Sequence, residues 1–581
     1  MSHRLISLAI LLAVGTGWAR APEPVAVEEA EPASAETPGM STGLNLKYGE
    51  ALSSAAERSI QDEISVDLID LEALREAIET AMPRETVRLG LDACIQIALA
   101  QNQDIIIAGY EPQKTEADIF SARGEFDAAW QTQGNYLRSS ASASQEVFAF
   151  AGISSIENYQ TTINSAVAGK LHYGTQYAVA FDLNKSESTY GRFIEEFDAR
   201  MTLTLTQPLI RAFGQKVNTV RIKQARNANQ IAHAQLKLAV MNTIAEVVKA
   251  YWDLVGAVEN VKVRSESLAN AERLLRINET RREIGMGADL EVLQAKAGVA
   301  TRQGDLVSAR AAVENAADRL KQLLDLREGD AFSKISIIPI DRPNPKALSE
   351  FDPTEADRNR DLSIERALQH RPEIQMAELQ IENAELEEMR TRNDMMPQFD
   401  LTGTYTQGGR DHQLRQTLEG IQDKQEKFYS YGFQASIPIR NRAARGQYQR
   451  AKLTRREMEQ RLQQTRQNLM LNVHLAARNV LTNQILVESN RQARGLQEAN
   501  VVAEEKRQRL GVTTIWQVLQ VQEDLTAAQT LEVQAQTAYE KALVDLRLAE
   551  GMLMETFGIE FEAPEADKPV GFFNSITPRW E

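Results

Sequence analysis

The chain has 581 residues, 43% of them hydrophobic, with one cysteine, six histidines and a net charge of −16. That inventory excludes a disulfide scaffold and argues against a nucleic-acid binder, which needs a basic surface to neutralise phosphates. With a mean hydropathy of −0.37 and no apolar run of about eighteen residues, helical membrane spans are excluded, whereas β-barrel strands need only about ten alternating residues each.

In chain order, residues 1–21 (MSHRLISLAILLAVGTGWARA) carry Arg4, an apolar run and an A-x-A site ending at Ala21, the pattern of a secretory signal peptide. No cysteine lies near that cut, so lipid attachment is not expected there. Residues 22–50 are rich in Pro, Ala and Glu and read as a disordered leader. Residues 51–88 contain ISVDLIDLEALREAIETAM, whose spacing predicts a peripheral helical extension.

Sliding the chain against itself exposes a duplication. Asn102 to Tyr136 aligns without gaps on Arg371 to Tyr405, and Arg281 to Leu326 on Arg507 to Met552. The expected organisation is a first repeat over 89–345, a second over 346–557 and a C-terminal tail over 558–581, each repeat running helix, strands, long helix, turn, helix. Strand alternation is clearest in QYAVAFDLN, MTLTLTQ, FDLTGTYTQ and FYSYGFQASIPI. Pro208 and Pro438 are expected to end strands, because proline donates nothing to a ladder. Helix follows from Gln215 to about Ile284, with Pro112 and Pro208 expected at or before helix starts. Three coiled-coil seams recur at 4,3 spacing: Ile244, Val248, Tyr251, Val255 and Val258; Leu306, Ala309, Val313, Ala316 and Leu320; and Leu525, Ala528, Glu532, Ala535, Tyr539, Ala542 and Leu546, with Glu532 the polar intruder. Gly285 and Gly511 mark reversals, where glycine accepts positive φ.

A strand with threonine behind its apolar face suits a wall between lipid and water, and PLIRAFG (208–214) is then an elbow from strand to helix. At LTQPLIRAFGQKVNTVRIKQARN with its counterpart SIPIRNRAARGQYQRAK, at the openings LGLDACIQIALAQNQDI and LSIERALQHRPEI, and at the turns RREIGMGADLEVLQA and RQRLGVTTIWQVLQV, the chain resembles the TolC-like outer-membrane efflux protein family. The resemblance spans about Leu89 to Phe557. It implies a mainly α fold with a transmembrane β part, in which two tandem repeats of long coiled-coil helices and amphipathic strands build a trimeric α-barrel tunnel. Each protomer would give four strands to a single twelve-stranded β-barrel in the outer membrane. One chain's strands cannot close a barrel, and an open edge is not tolerated in lipid.

The implied function is the exit duct of a tripartite efflux pump, a homotrimer working with a periplasmic adaptor and an inner-membrane pump. A type I protein or peptide secretion exit is the alternative within this architecture; a pore-less periplasmic scaffold is the alternative outside it. By the family's pattern, adaptor-docking tips map to Gly285, Met286, Gly287, Gly511, Val512 and Thr513, or these are simply tight turns. Gate or selectivity candidates at the tunnel mouth are Asp289, Glu291, Gln517, Gln520, Arg507 and Arg509. Gln517 and Gln520 stand where some relatives carry carboxylates, so an acidic ring would come from Asp289 and Glu291; these equally suit the first turn of any helix. Arg507 and Arg509 suit a helix C-terminus or a pairing across helices. The elbows are Pro208, Gly214 and Pro438. No enzyme, metal or cofactor is expected: His172, His233, His370, His412 and His474 are scattered without ligand spacing, and Cys94 reads as a small core residue.

Overall fold

The computed structural model describes residues 86–145, 148–149, 152, 154–188, 194–285, 288–326, 335–342, 356–424 and 426–559. The signal, the leader, the extension up to residue 85, the tail from 560, and Met286 and Gly287 lie outside the described residues. Where description begins, residues 86–88 are extended rather than helical: β1 (Thr86–Leu89) pairs in parallel with β6 (Ser336–Pro339).

Two rods dominate. After α1 (Leu91–Gln101), α2 (Gln103–Arg123) and the strands of the first half, a single turn α3 (Gln215–Asn218) leads into α4 (Val220–Glu283), which reverses at Gly285 into α5 (Asp289–Leu323). The second half repeats the plan with α6 (Ala356–His370), α7 (Pro372–Asp394), two strands, α9 (Arg442–Arg509) and α10 (Ile515–Glu550). At 64 and 68 residues, α4 and α9 are about 96 Å and 102 Å long at 1.5 Å per residue. Each packs lengthwise on its hairpin partner, α4 on α5 and α9 on α10; α2 and α7 both flank α4, and α7 flanks α9. The seams are buried as their spacing requires: Ile244, Val248, Tyr251 and Val255 on α4, Leu306, Ala309 and Leu320 on α5, Ala535, Tyr539, Ala542 and Leu546 on α10. The intruder Glu532 is buried too, and an ion pair with Arg494 at 3.0 Å supplies the compensation that a buried carboxylate requires.

Pro112 is not at a helix start. It lies inside α2, where its ring interrupts the ladder; its carbonyl accepts from Thr115 Oγ1 at 2.9 Å and from Asn229 Nδ2 of α4 at 3.0 Å.

The largest apolar core gathers where α1, the middle of α4, the end of α5, β1, β6 and α11 (Leu553–Thr556) meet. Tyr251, fully buried, anchors the small sheet there. Its hydroxyl lies 2.7 Å from Asp341 Oδ2 and 3.2 Å from the Leu89 carbonyl, and Asp341 Oδ2 also accepts from Leu91 N at 2.8 Å. Cys94 is enclosed in the same core; burial, then the nearby Asp341 charge, pushes its thiol up to about 12. A raised pKa keeps the group as unreactive thiol at neutral pH. A maleimide at pH 7.5 is therefore expected to leave Cys94 unlabelled in the folded protein and to label it fully after denaturation; rapid native labelling would contradict this packing.

Six strands form one antiparallel sheet, in the order β2 (Ala129–Ser142), β3 (Ser155–Lys170), β4 (Gln176–Ser188), β5 (Glu196–Pro208), β7 (Gln398–Asp411), β8 (Glu426–Ser436). Four strands per chain is therefore corrected to six among the described residues. The first half supplies four because β3 and β4 form a hairpin inserted between the strand that leaves α2 and the strand that enters α3 and α4. A short helix α8 (Leu414–Gln422) in the β7–β8 connection folds back onto β5 and β7, with Thr417 and Gly420 against Gly409.

Candidate functional site

The sheet has two chemically opposite faces. Antiparallel partners share a face, and rows of partners can be followed across all six strands. One row runs Trp130, Val167, Val179, Leu203, Tyr405, Tyr429, and the next toward the helices adds Tyr177, Leu205 and Tyr431. The alternate rows are polar: Gln131, Ala166, Ala180, Thr202, Thr406, Phe428, and Gln133, Asn164, Asp182, Arg200, Gly408, Glu426. Large apolar side chains on that second face, Leu137, Ile156 and Phe428, all lie toward the loop end of their strands. On the first face the apolar residues stand open to solvent in the isolated chain; Tyr431 is 86% exposed and Tyr429 79%.

The apolar face ends, away from the helices, in charge: Arg138 on β2, Glu157 on β3, Lys185 and Glu187 on β4, Lys427 on β8. Arg138 pairs with Glu157 at 3.6 Å and Lys185 with Glu195 at 2.8 Å. This boundary runs obliquely. Lys427 shares a row with Thr132 of β2, whereas the first charge on β2 itself is Arg138. Those six residues amount to about 20 Å along the strand, and the five gaps from β2 to β8 to about 24 Å across, so the boundary is inclined by about 40° to the rows.

Two elbows lead the chain from the sheet into the rods, after β5 and after β8. Pro208 is the last residue of β5 and is buried. The chain then turns through Ala212 (φ +60) and Gly214 (φ +93). Ala212 N donates to Asn393 Oδ1 at 2.8 Å, and Asn218 Nδ2 donates to the Ala212 carbonyl at 2.8 Å and the Gly214 carbonyl at 2.9 Å. In the second elbow Pro438 is exposed, two residues beyond the end of β8, and the turn is made at Asn441 (φ +43), whose Nδ2 donates to the Met395 carbonyl at 3.0 Å. Asn218, Asn393 and Asn441 escape a sequence reading because an isolated asparagine near a helix end carries no distinguishing pattern; tolerance of left-handed backbone is a signal for Asn441 alone.

At the far ends of the rods the hairpins reverse on glycine. Gly285 and Gly511 both have φ +75. Gly285 N donates to the Arg282 carbonyl at 3.0 Å; Gly511 N donates to the Gln508 carbonyl at 3.1 Å and Val512 N to the Arg507 carbonyl at 3.0 Å, which is a Schellman ending. Val512 is exposed, while Thr513 is half-buried and its hydroxyl bonds Glu504 and Gln517. Gln517 Oε1 also accepts from Thr514 N at 3.4 Å, so that side chain closes the turn. Gln520 is exposed, with Nε2 3.3 Å from Asp524. Asp289 is exposed at the first position of α5 and Glu291 half-buried two residues further in. Arg507 pairs with Glu504 of its own helix at 3.2 Å rather than across helices, because that i,i+3 partner is always within reach, and Arg509 is exposed.

Above the tips, a contact not legible in the sequence ties the hairpins together. Arg302 of α5 is buried and donates to Ser267 Oγ of α4 at 3.2 Å and to the Leu519 carbonyl of α10 at 3.2 Å, with Glu523 at 3.6 Å. Burial pushes its pKa down, and the Glu523 and Asp305 carboxylates oppose that; an arginine nevertheless stays charged. Arg302→Ala removes the charge-assisted hydrogen bonds to Ser267 and to the Leu519 carbonyl and is expected to cost about 1.5–3 kcal/mol, read as a lower denaturant midpoint with an unchanged slope; no change would mean the bridge is not formed.

Solved structures share this fold. The CmeC outer membrane channel of Campylobacter jejuni superposes with a TM-score of 0.57 at 17% identity, over 80% of this chain and 86% of that one. VceC of Vibrio cholerae gives 0.56 at 16%, over 79% and 96%. The open-state MtrE channel of Neisseria gonorrhoeae gives 0.53 at 17%, over 80% and 89%. Among the curated proteins none matches in sequence. The fold is that of an outer-membrane channel: long helical hairpins carrying a two-faced antiparallel sheet. Residues 94–325 and 363–552 match the outer membrane efflux protein family, and the chain belongs to that family.

Proposed function

We propose that this efflux protein is the exit duct of a tripartite pump. Three copies associate so that their sheets close into one barrel in the outer membrane, and their rods enclose a tunnel across the periplasm. Small molecules delivered by an inner-membrane pump pass through it, and a periplasmic adaptor docks on the tips at Gly285, Met286, Gly287, Gly511, Val512 and Thr513. The observation that carries this reading is the oblique boundary of the apolar face. If the line of first charges is level with a membrane surface, the strands tilt by about 40°, inside the 35–45° range of barrel walls. From Tyr177 to Lys185 the apolar stretch of β4 measures about 27 Å along the strand, or about 21 Å in height at that tilt, a little less than the apolar band of about 25 Å on barrel walls.

Nothing in this architecture performs covalent chemistry in the proposed role. Its work is to exclude lipid, hold water and leave a continuous path. Asp289 and Glu291 at the α5 start are the carboxylates available to favour cations at the mouth, since Gln517 stands at the Glu291 position in the second half and Gln520 follows it.

Planar-bilayer recording tests the proposal. Purified protein in detergent is expected to insert as discrete conductance steps, and Glu291→Gln to reduce cation over anion preference about twofold. An unchanged preference removes Glu291 from the mouth; absence of any conductance, with a protein that is monomeric and soluble without detergent, removes the duct.

A further inference from the structure

We infer that the barrel built by this chain has eighteen strands, not the twelve of the resemblance, and so forms a wider outer-membrane opening than its helical tunnel requires. The inference rests on the trimeric duct proposed above and concerns the inserted hairpin β3–β4.

The hairpin is part of the wall. Each of its strands is paired along its length on both sides, β3 with β2 and β4, β4 with β3 and β5. Its alternation is in phase with its neighbours, so Val167 and Val179 complete the apolar row and Asn164 and Asp182 the polar one. Its turn is also fastened to the α2–β2 junction and to the first elbow. His172 stacks on Phe126, just beyond α2, at 4.3 Å between ring centroids, and the Tyr173 carbonyl accepts from Gly214 N, just before α3, at 3.1 Å. The turn thus sits as a wedge over the junction of two helices that touch. Packed helix axes lie about 8–10 Å apart, but β2 and β5, which continue from α2 and into α3 and α4, stand three strand spacings or about 14 Å apart. The sheet must therefore be wider than the rods beneath it.

Among the described residues its two edges, β2 and β8, each lack a second strand partner, and an open edge is not permitted in lipid. β2 runs away from the helices and β8 toward them, so the edge of one copy meets the edge of the next antiparallel and an even-stranded ring closes without a parallel joint. With strands about 4.8 Å apart and tilted about 40°, twelve strands give a backbone radius of about 12 Å and eighteen about 18 Å, a cross-section about twofold larger. The barrel then belongs to the size class that leaves a broad aqueous channel, and the helical part, not the barrel, limits cargo size.

The test is mass and image of the same sample: the full-length protein in detergent, weighed by native mass spectrometry and imaged by cryo-electron microscopy. Three copies with a barrel wall about 36 Å across, backbone to backbone, are expected. Three copies around a ring about 24 Å across, with the hairpin outside the wall, would overturn the inference and leave the duct standing, as would two copies closing twelve strands. A particle with no through-hole would overturn both.

Discussion

Val179→Arg is expected to prevent or severely weaken assembly. Val179 lies in the middle of the apolar rows, between Val167 and Leu203, and an arginine facing the middle of a bilayer from a barrel strand costs about 2–4 kcal/mol. In a ring of several copies the cost recurs in each. Thr204→Lys, on the adjoining strand but the opposite face, beside Ala178 and Thr404, is expected to be near neutral because its side chain meets water. The measurement is the fraction of protein recovered from outer membranes as the heat-modifiable folded species. Equal recovery of the two variants would mean the faces are assigned wrongly, and the membrane reading would go with them.

Gly174→Val is expected to be the most damaging change outside the apolar rows. Gly174 has φ +96, a conformation that side chains rarely adopt, and a Cβ there would lie 2.3 Å from the Ala212 carbonyl and 2.9 Å from Asn218 Nδ2. Backbone strain of this kind costs about 1–3 kcal/mol; the collision adds to it, because the obstructing oxygen is backbone and is itself held by Asn218. The loss is thus expected at or above about 3 kcal/mol, seen as a fall in thermal midpoint in detergent. Gly511→Ala separates the two contributions. Gly511 also has positive φ, at +75, but nothing lies within 4 Å of its Cβ position, so only the conformational cost of about 1–2 kcal/mol applies. If Gly174→Val were no worse than Gly511→Ala, the turn would not be wedged into the elbow.

Most of the rod structure was legible from spacing alone. A seam such as Ile244, Val248, Tyr251, Val255 repeats with helix geometry, and side chains at that spacing fall on one side whatever they pack against. Strong strands were legible for the matching reason: Leu203 and Leu205 against Thr202, Thr204 and Thr206, or Tyr429, Tyr431 and Phe433 on β8, alternate clearly. β2 and β3 were not. In AWQTQGNYLRSSAS and SIENYQTTINSAVAGK the positions on the apolar face include Thr132, Gly134, Ser165 and Thr161, small or hydroxylated residues that blur the alternation. A sheet completes its apolar face with neighbours' side chains, so a strand can belong to that face without advertising it.

The mouth candidates show the same division. That Gly285 and Gly511 reverse the chain follows from glycine's access to positive φ. That Gln517 is engaged by Thr513 and Thr514, and that Arg507 turns to Glu504, depends on which polar group comes within about 3 Å once the turn has formed. Arg302, whose guanidinium ties α5 to both α4 and α10, looks in sequence like any other arginine on an α5 face.

By itself, then, the sequence determined the periodic parts of this protein: the rods, the glycine reversals, the strongly alternating strands and the doubled order in which they come. The tertiary structure alone decided which segments became neighbours. It paired Leu89 with Pro339, set the β3–β4 turn against the first elbow and the α2–β2 junction, widened the sheet to six strands and drew Arg302 in between hairpins. The reason is that periodicity is a local consequence of backbone geometry, readable one element at a time, whereas pairing partners and ligands of a buried charge depend on the relative positions of elements far apart in the chain.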